Sequence, residues 1–263
     1  MWCTMLLDHA RTLYGYRNLI RALAWGEFKQ RYKNSILGYF WSLLEPLLML
    51  AVLYVVFSNL MRVEVEYYQL FLLLGIILWN FFSRATSLGL SAIVGRPSLV
   101  QKIYFPRDIL VISICITALL MSIFESVVFV LFMAIFRVPP SPTLVYVPVI
   151  LLIIFVFALG VSLAVAALNV YYRDVQFIWA VVLQAGFFAT PILYPVTIFP
   201  EGLREVFLLN PMAHIIIEAR NVIIYATPAA AGSLLYAGIA SLVTLVIGYL
   251  IFARLEPGFA EEM

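Results

Sequence analysis

Two cations, a glycine and an acid crowd the start of the first apolar run, in RYKNSILGYFWSLLEPLLML, residues 31–50. Arg31 and Lys33 carry charge suited to phosphate oxygens, and arginine can grip them with two parallel N–H donors. Gly38 has no side chain, so the backbone there can come close to a ligand. The start of an apolar helix adds unpaired backbone N–H groups and a positive dipole end, which together favour an anion. Anion capture at a membrane face is one chemistry these residues offer. The plainer one is cationic anchoring at the inner face with a glycine at a helix start.

Further along, ionisable groups sit inside apolar runs: Glu45 in the first, Arg84 in the second and Glu125 in the third. A charge within hydrocarbon is expensive and normally faces protein or water. Glu45 is therefore expected at a subunit interface or a channel, while Arg84 and Glu125 are candidates to pair with each other or with backbone groups. Pro46 removes one helical hydrogen bond and is expected to kink the first run.

The elements that must position these groups follow from composition. Hydrophobic residues make up 65% of the chain and charged residues 11%, against about 45–50% and about 25% in soluble domains. Several runs exceed the roughly 20 apolar residues needed to cross a bilayer, and their continuity excludes a barrel of alternating strands. The expected fold is an all-α polytopic membrane protein with spans over 39–61, 69–93, 109–136, 144–168, 177–194 and 233–253. It forms one domain over 1–263: a segment 1–38 before the bundle, a six-span bundle over 39–253 and a tail over 254–263. The first residues lack the short apolar core and small-residue site of a cleaved signal. Residues 195–231 carry too many prolines for one continuous span and suit short re-entrant or gate helices between spans five and six.

Charge placement sets an expected orientation. Arg11, Arg17, Arg21, Lys29, Arg31, Lys33, Arg96, Lys102, Arg107, Arg173 and Arg254 fall on one side; Arg62, Arg137, Arg204 and Arg220 fall on the other. The positive-inside rule places both termini in the cytoplasm. Leu13, Tyr16, Ile20 and Leu23 form an apolar stripe opposite Arg17 and Arg21. The stripe then shifts near Gly26 to Trp25, Phe28 and Tyr32. That pattern predicts an amphipathic helix lying in the headgroup zone, either anchored to anionic lipid or docking a cytoplasmic partner. His9 and His214 fall on opposite sides, so they build no acid–base site, and no phosphate loop of the form G-x-x-x-x-G-K-[ST] is present. Cys3 and Cys115 suggest neither a disulfide framework nor a metal site.

The stretch EFKQRYKNSILGYFWSLLEPLL resembles the start of span one in permease subunits of ABC-2 type exporters for polysaccharides, such as O-antigen, capsule and wall teichoic acid. LWNFFSRATSLGLSAIVGRPSLVQKIYFPRDIL, NVYYRDVQF, TPILYPVTIF and LNPMAHIIIEARNVI resemble later segments of the same family, in order and over nearly the whole chain. Glu45 departs from the pattern, which as often has an uncharged polar residue such as Asn there.

The resemblance implies a homodimer in the bacterial inner membrane, with two ABC ATPase subunits beneath it. ATP and Mg would be held by those subunits, and this chain would carry no cofactor, no metal, no nucleic acid and no catalytic group. The substrate implied is a lipid-linked polysaccharide with a pyrophosphate head, received at Arg31, Lys33, Leu37 and Gly38. Tyr39, Phe40, Trp41 and Glu45 are the expected conduit lining at the doorway, and Phe187, Phe188 and Tyr194 at the outer end, where Pro191 and Pro195 bracket a break. Leu99, Val100, Lys102, Ile103 and Tyr104, with Arg173 and Asp174, are the expected contacts to the ATPase. Export of another lipid or a drug is the nearest alternative. An ion-coupled transporter fits less well, because no inverted repeat is apparent. A membrane-embedded enzyme lacks the clustered acids or histidines it would need.

Overall fold

The computed structural model describes residues 12–33, 38, 40–60, 65–102 and 105–262, and every regular element among them is helical. In chain order these are α1 (Arg17–Tyr32), α2 (Phe40–Leu60), α3 (Tyr68–Leu90), α4 (Pro97–Lys102), α5 (Asp108–Ile135) and α6 (Val147–Tyr171). Then come α7 (Val175–Ala189), α8 (Glu201–Leu208), α9 (Pro211–Ile223) and α10 (Ala231–Leu255), with single 3-10 turns at Pro142–Tyr146, Val196–Ile198 and Glu256–Ala260. Among the described residues, α2, α3, α5, α6 and α10 are long and apolar enough to cross a membrane, and the pair α8–α9, bent by 98°, makes a sixth candidate.

The expected fifth span, 177–194, is cut short. Helix α7 stops at Ala189 after 15 residues, about 22 Å at 1.5 Å per residue, against about 30 Å of hydrocarbon. Pro191 is the cause, because its ring drives the preceding residue out of the helical region; Thr190 is extended at φ −99°, ψ 140°. The Asn-Pro pair at 210–211 works the other way. Pro211 opens α9, and the Asn210 side chain accepts a hydrogen bond from Met212 N at 3.0 Å, satisfying one of the orphan donors at the helix start.

Helix α3 is the centre of the bundle, 78% inside the protein, with Leu70, Leu72 and Leu73 fully buried. Around it, α6 and α10 approach so closely that a Cβ on Gly248 would lie 2.0 Å from the Gly160 carbonyl oxygen. Polar groups stitch the helices together. Asn169 Nδ2 donates to the Leu90 carbonyl at 3.0 Å, the Ser162 hydroxyl lies 3.1 Å from the Ala85 carbonyl, and Thr117 Oγ1 donates to the Ala24 carbonyl at 3.1 Å.

That last bond fastens α1 to α5. The apolar stripe of α1 does not shift at Gly26 as the sequence suggested. It continues through Ile20, Ala24 and Phe28, all buried, while Trp25 is half exposed. These residues recur every four positions, so they stay on one face of an unbroken helix, and Phe28 stacks on Phe124 of α5 at 5.4 Å between ring centres. Arg17, Arg21, Lys29 and Arg31 on the same helix are exposed.

Candidate functional site

At the doorway, Arg31 and Lys33 are exposed at the end of α1, and Lys33 leaves the helix in an extended conformation. Gly38 has φ +51°, and nothing lies within 4 Å of where its Cβ would be. The glycine is thus required by backbone conformation rather than by crowding. Leu37 and Tyr39 lie outside the described residues.

From here α2 carries Phe40 and Trp41 outward, 60% and 48% exposed. One turn on, Glu45 Oε2 accepts from Arg84 Nη2 at 2.8 Å, and the other amino nitrogen of Arg84 is paired with Glu125. The three ionisable groups that the sequence placed in separate spans are therefore one cluster joining α2, α3 and α5. Its members differ in setting. Glu125 is wholly buried and has the Asn80 side chain beside it in addition to Arg84, whereas the Glu45 side chain is 56% exposed. Glu45 lines a cavity of about 610 Å³ with Trp41, Leu48, Met49, Val52 and Asn80. Such a wall can stack a ring face on indole and accept hydroxyl protons at a carboxylate and an amide.

The second expected lining set sits where α7 ends. Phe188 is exposed, but Phe187 turns edge-on to Trp79 of α3 at 6.1 Å, so it is partly a packing residue. The Tyr194 hydroxyl donates to the Phe188 carbonyl, and its ring meets Phe199 at 5.0 Å and Phe207 at 6.2 Å. Phe188 and Tyr194 thus belong to one aromatic corner that also includes two rings the sequence did not single out.

Arg220 behind that corner was likewise missed. As a sequence feature it counted as an outer charge; in the fold it is 2% exposed. Its guanidinium donates to the carbonyls of Phe71, Pro191 and Ile192 and lies 3.3 Å over the Phe71 ring. One cation therefore ties the break after α7 to the start of α3, and Gly75 leaves room for it, since a Cβ there would lie 2.7 Å from Arg220 Nη2. The signal that could have found it is the same one that marked Arg84: a cation in an otherwise apolar helical stretch. Glu218, also buried, accepts from Ala230 N at 3.0 Å and caps the approach to α10. Tyr225, just past α9, has its hydroxyl pKa raised by burial, with the nearby Arg220 pulling the other way.

At the opposite end of the bundle lie the expected ATPase contacts. Leu99 on α4 is half-buried, and Arg173 and Asp174 are exposed in the turn between α6 and α7 beside exposed Tyr172. Val100 and Lys102 lie on α4, but their side chains are outside the described residues, as are Ile103 and Tyr104 altogether. This end is braced by Arg96, ion-paired with Glu27 of α1, and by Arg107, whose backbone N–H donates to Glu256 Oε1 at 3.1 Å. The Tyr171 hydroxyl donates to the Leu255 carbonyl at 2.9 Å, so the tail is folded back under α6.

The sequence pattern of the ABC-2 type transporter family matches residues 18–224. The O-antigen export system permease protein RfbA of Myxococcus xanthus is 33% identical over 255 residues, covering 96% of this chain and 98% of that protein. An O-antigen export system permease protein RfbA of Klebsiella pneumoniae is 30% identical, over 89% of this chain and 91% of its own length. The polysialic acid transport protein KpsM of Escherichia coli is 26% identical, over 90% and 93%. The match runs from the doorway helix through the aromatic corner and the buried arginine, and on that extent the chain belongs to the ABC-2 type transporter family.

Proposed function

We propose that this chain is the permease subunit of an exporter that moves a lipid-linked polysaccharide, of the O-antigen, capsule or teichoic acid kind, across the bacterial inner membrane. The observation that carries the reading is the wall of α2. A membrane-spanning helix that is 17% inside the protein nevertheless presents Trp41 and Glu45 to a cavity, a surface suited to sugar and ill suited to acyl chains. Two copies of the chain enclose the conduit, with α2 and α7 of each facing the passage. Two ATPase subunits bind at the α4 end, through α4 and the 172–174 turn, and supply ATP, Mg and force. Both termini then lie in the cytoplasm, and α1 rests its cationic face on anionic headgroups. Arg31, Lys33, Leu37 and Gly38 receive the pyrophosphate head from the inner leaflet.

The test is reconstitution of the purified chain with the ATPase that copurifies with it, in proteoliposomes loaded with the copurifying glycolipid. ATP-dependent appearance of glycan on the far side is the expected result; transport by the chain alone overturns the reading. In the same assay the Arg31→Ala, Lys33→Ala double variant is expected to lose most export while still assembling with the ATPase. Wild-type export from it removes the pyrophosphate assignment.

A further inference from the structure

The break after α7 lies between two elements that are lightly attached to the rest of the chain. Among the described residues, α7 buries Leu183 alone and α8 buries none. The break itself is the opposite. Thr190, Pro191, Ile192 and Leu193 are all buried, and each is held by a side chain from another element. Asn210 Nδ2 donates to Thr190 Oγ1 at 2.9 Å. Arg220 donates to the Pro191 carbonyl at 2.6 Å and to the Ile192 carbonyl at 2.8 Å, and the Tyr68 hydroxyl donates to the Leu193 carbonyl at 2.8 Å. Because Arg220 also donates to the Phe71 carbonyl, the four residues are joined to α3 and α9 at once. Non-helical backbone buried in a membrane protein needs such partners, since an unmet carbonyl there is costly. Asn210 has a second role. It stands where the chain comes back from α8, so the flap 194–209 leaves this block at Leu193 and returns to it at Asn210, with its base pinned. Within the flap Phe199 and Phe207 stack at 4.6 Å, and Leu203, Val206 and Leu209 are exposed.

Resting on the exporter reading above, we propose that residues 190–193 are a fixed fulcrum for transport and that Arg220 is the positioning residue that holds it. A break at a proline suggests a place where the chain bends during each cycle. Here the bonds make it the part least free to move, and the motion belongs to what adjoins it: α7 on one side and the flap carrying α8 on the other. Helix α7 runs from the 172–174 turn, the proposed ATPase contact, to this block. A push on the inner end of so lightly held a helix would slide it bodily. With its outer end anchored the helix tilts instead, and a small displacement at the ATPase becomes a change in the width of the passage. Arg220 therefore acts on export through the carbonyls it holds and without touching the glycan.

The experiment uses the complex with its copurifying ATPase and glycolipid, and reads ATP hydrolysis, export and hydrogen exchange together. In the wild type, ATP turnover is expected to speed amide exchange in α7 and α8 while Ile192 and Leu193 stay protected. Arg220→Ala should lower export at least about tenfold while hydrolysis by the assembled complex stays within about threefold. Tyr68→Phe, which removes one bond of the block, should give a milder loss of the same kind. Rescue separates positioning from simple loss of fold. A Cβ at position 75 would lie 3.2 Å from Ile192 Cγ2 and 2.7 Å from Arg220 Nη2, so removing the arginine clears room for a disulfide between Gly75→Cys and Ile192→Cys. Added to Arg220→Ala and verified by mass spectrometry, that cross-link should restore export when oxidised and lose it again on reduction. Export abolished or left unrestored by the formed cross-link overturns the fulcrum, as does a parallel fall of hydrolysis and export in Arg220→Ala. Exchange at Ile192 and Leu193 that rises with ATP as much as in α8 also overturns it, whether or not the cross-link forms. In each of these cases wild-type export leaves the exporter reading standing; a wild-type complex that hydrolyses ATP and moves no glycan overturns both.

Discussion

Helices α2 and α3 follow one another in the chain and are 21 and 23 residues long, yet they live in different surroundings. The first is 17% inside the protein and the second 78%, although α2 is the more apolar of the two. In water the more apolar helix would be the buried one. In a bilayer the preference reverses, because hydrocarbon tails serve an aliphatic face as well as protein does, while Arg84 on α3 needs the carboxylates of Glu45 and Glu125, which only other helices supply. Hydropathy therefore reports membrane residence, and the polar minority decides which helix sits at the centre. Glu45 is the exception on α2, and it marks the part of that helix that has work besides facing lipid.

The largest expected break in this contrast comes at Arg84. Arg84→Ala strands Glu125 without its cation in the bundle interior and should cost about 3–5 kcal/mol, read as loss of monodisperse protein or a steep fall in denaturation midpoint. Replacing both partners, as Arg84→Leu with Glu125→Leu, should recover most of that loss, because the buried charge is gone. Leu72→Ala, at a fully buried α3 position, should cost about 2–5 kcal/mol through the cavity left behind. Glu45→Gln should change stability by no more than about 1 kcal/mol, since its side chain is more than half exposed and Arg84 keeps Glu125. The smallest effect is expected at Val55→Ala on the outer face of α2, within about 0.5 kcal/mol. If Val55→Ala and Leu72→Ala prove equally damaging, the proposed difference between the two helices is wrong.

Much of the architecture was legible before any coordinates. The span limits of α2, α3, α5, α6 and α10 follow from run length, and the break after α7 from Pro191. What periodicity could not resolve was which of several apolar residues on one helix meets protein. In α1, Trp25 and Phe28 looked equivalent, and only the presence of Phe124 and Thr117 on α5 distinguishes them. Glu45, Arg84 and Glu125 were each visible as misplaced charges, but 39 and 41 residues separate the bonded pairs, and nothing local announces that they converge. Arg220 was hidden by its own ambiguity: a cation between two apolar stretches reads as a loop charge unless the carbonyls waiting for it, at Phe71, Pro191 and Ile192, are already known.

The contact between Gly160 and Gly248 has a consequence for motion. With no side chain between the two backbones and the carbonyl of one glycine where the other's Cβ would be, α6 and α10 have no slack to slide or roll against each other, and they behave as one rigid beam. Any swing that opens or shuts a path through this protein has to take place about that beam, in the thinly clad helices α2 and α7, so the fastest hydrogen exchange in the transmembrane region belongs there.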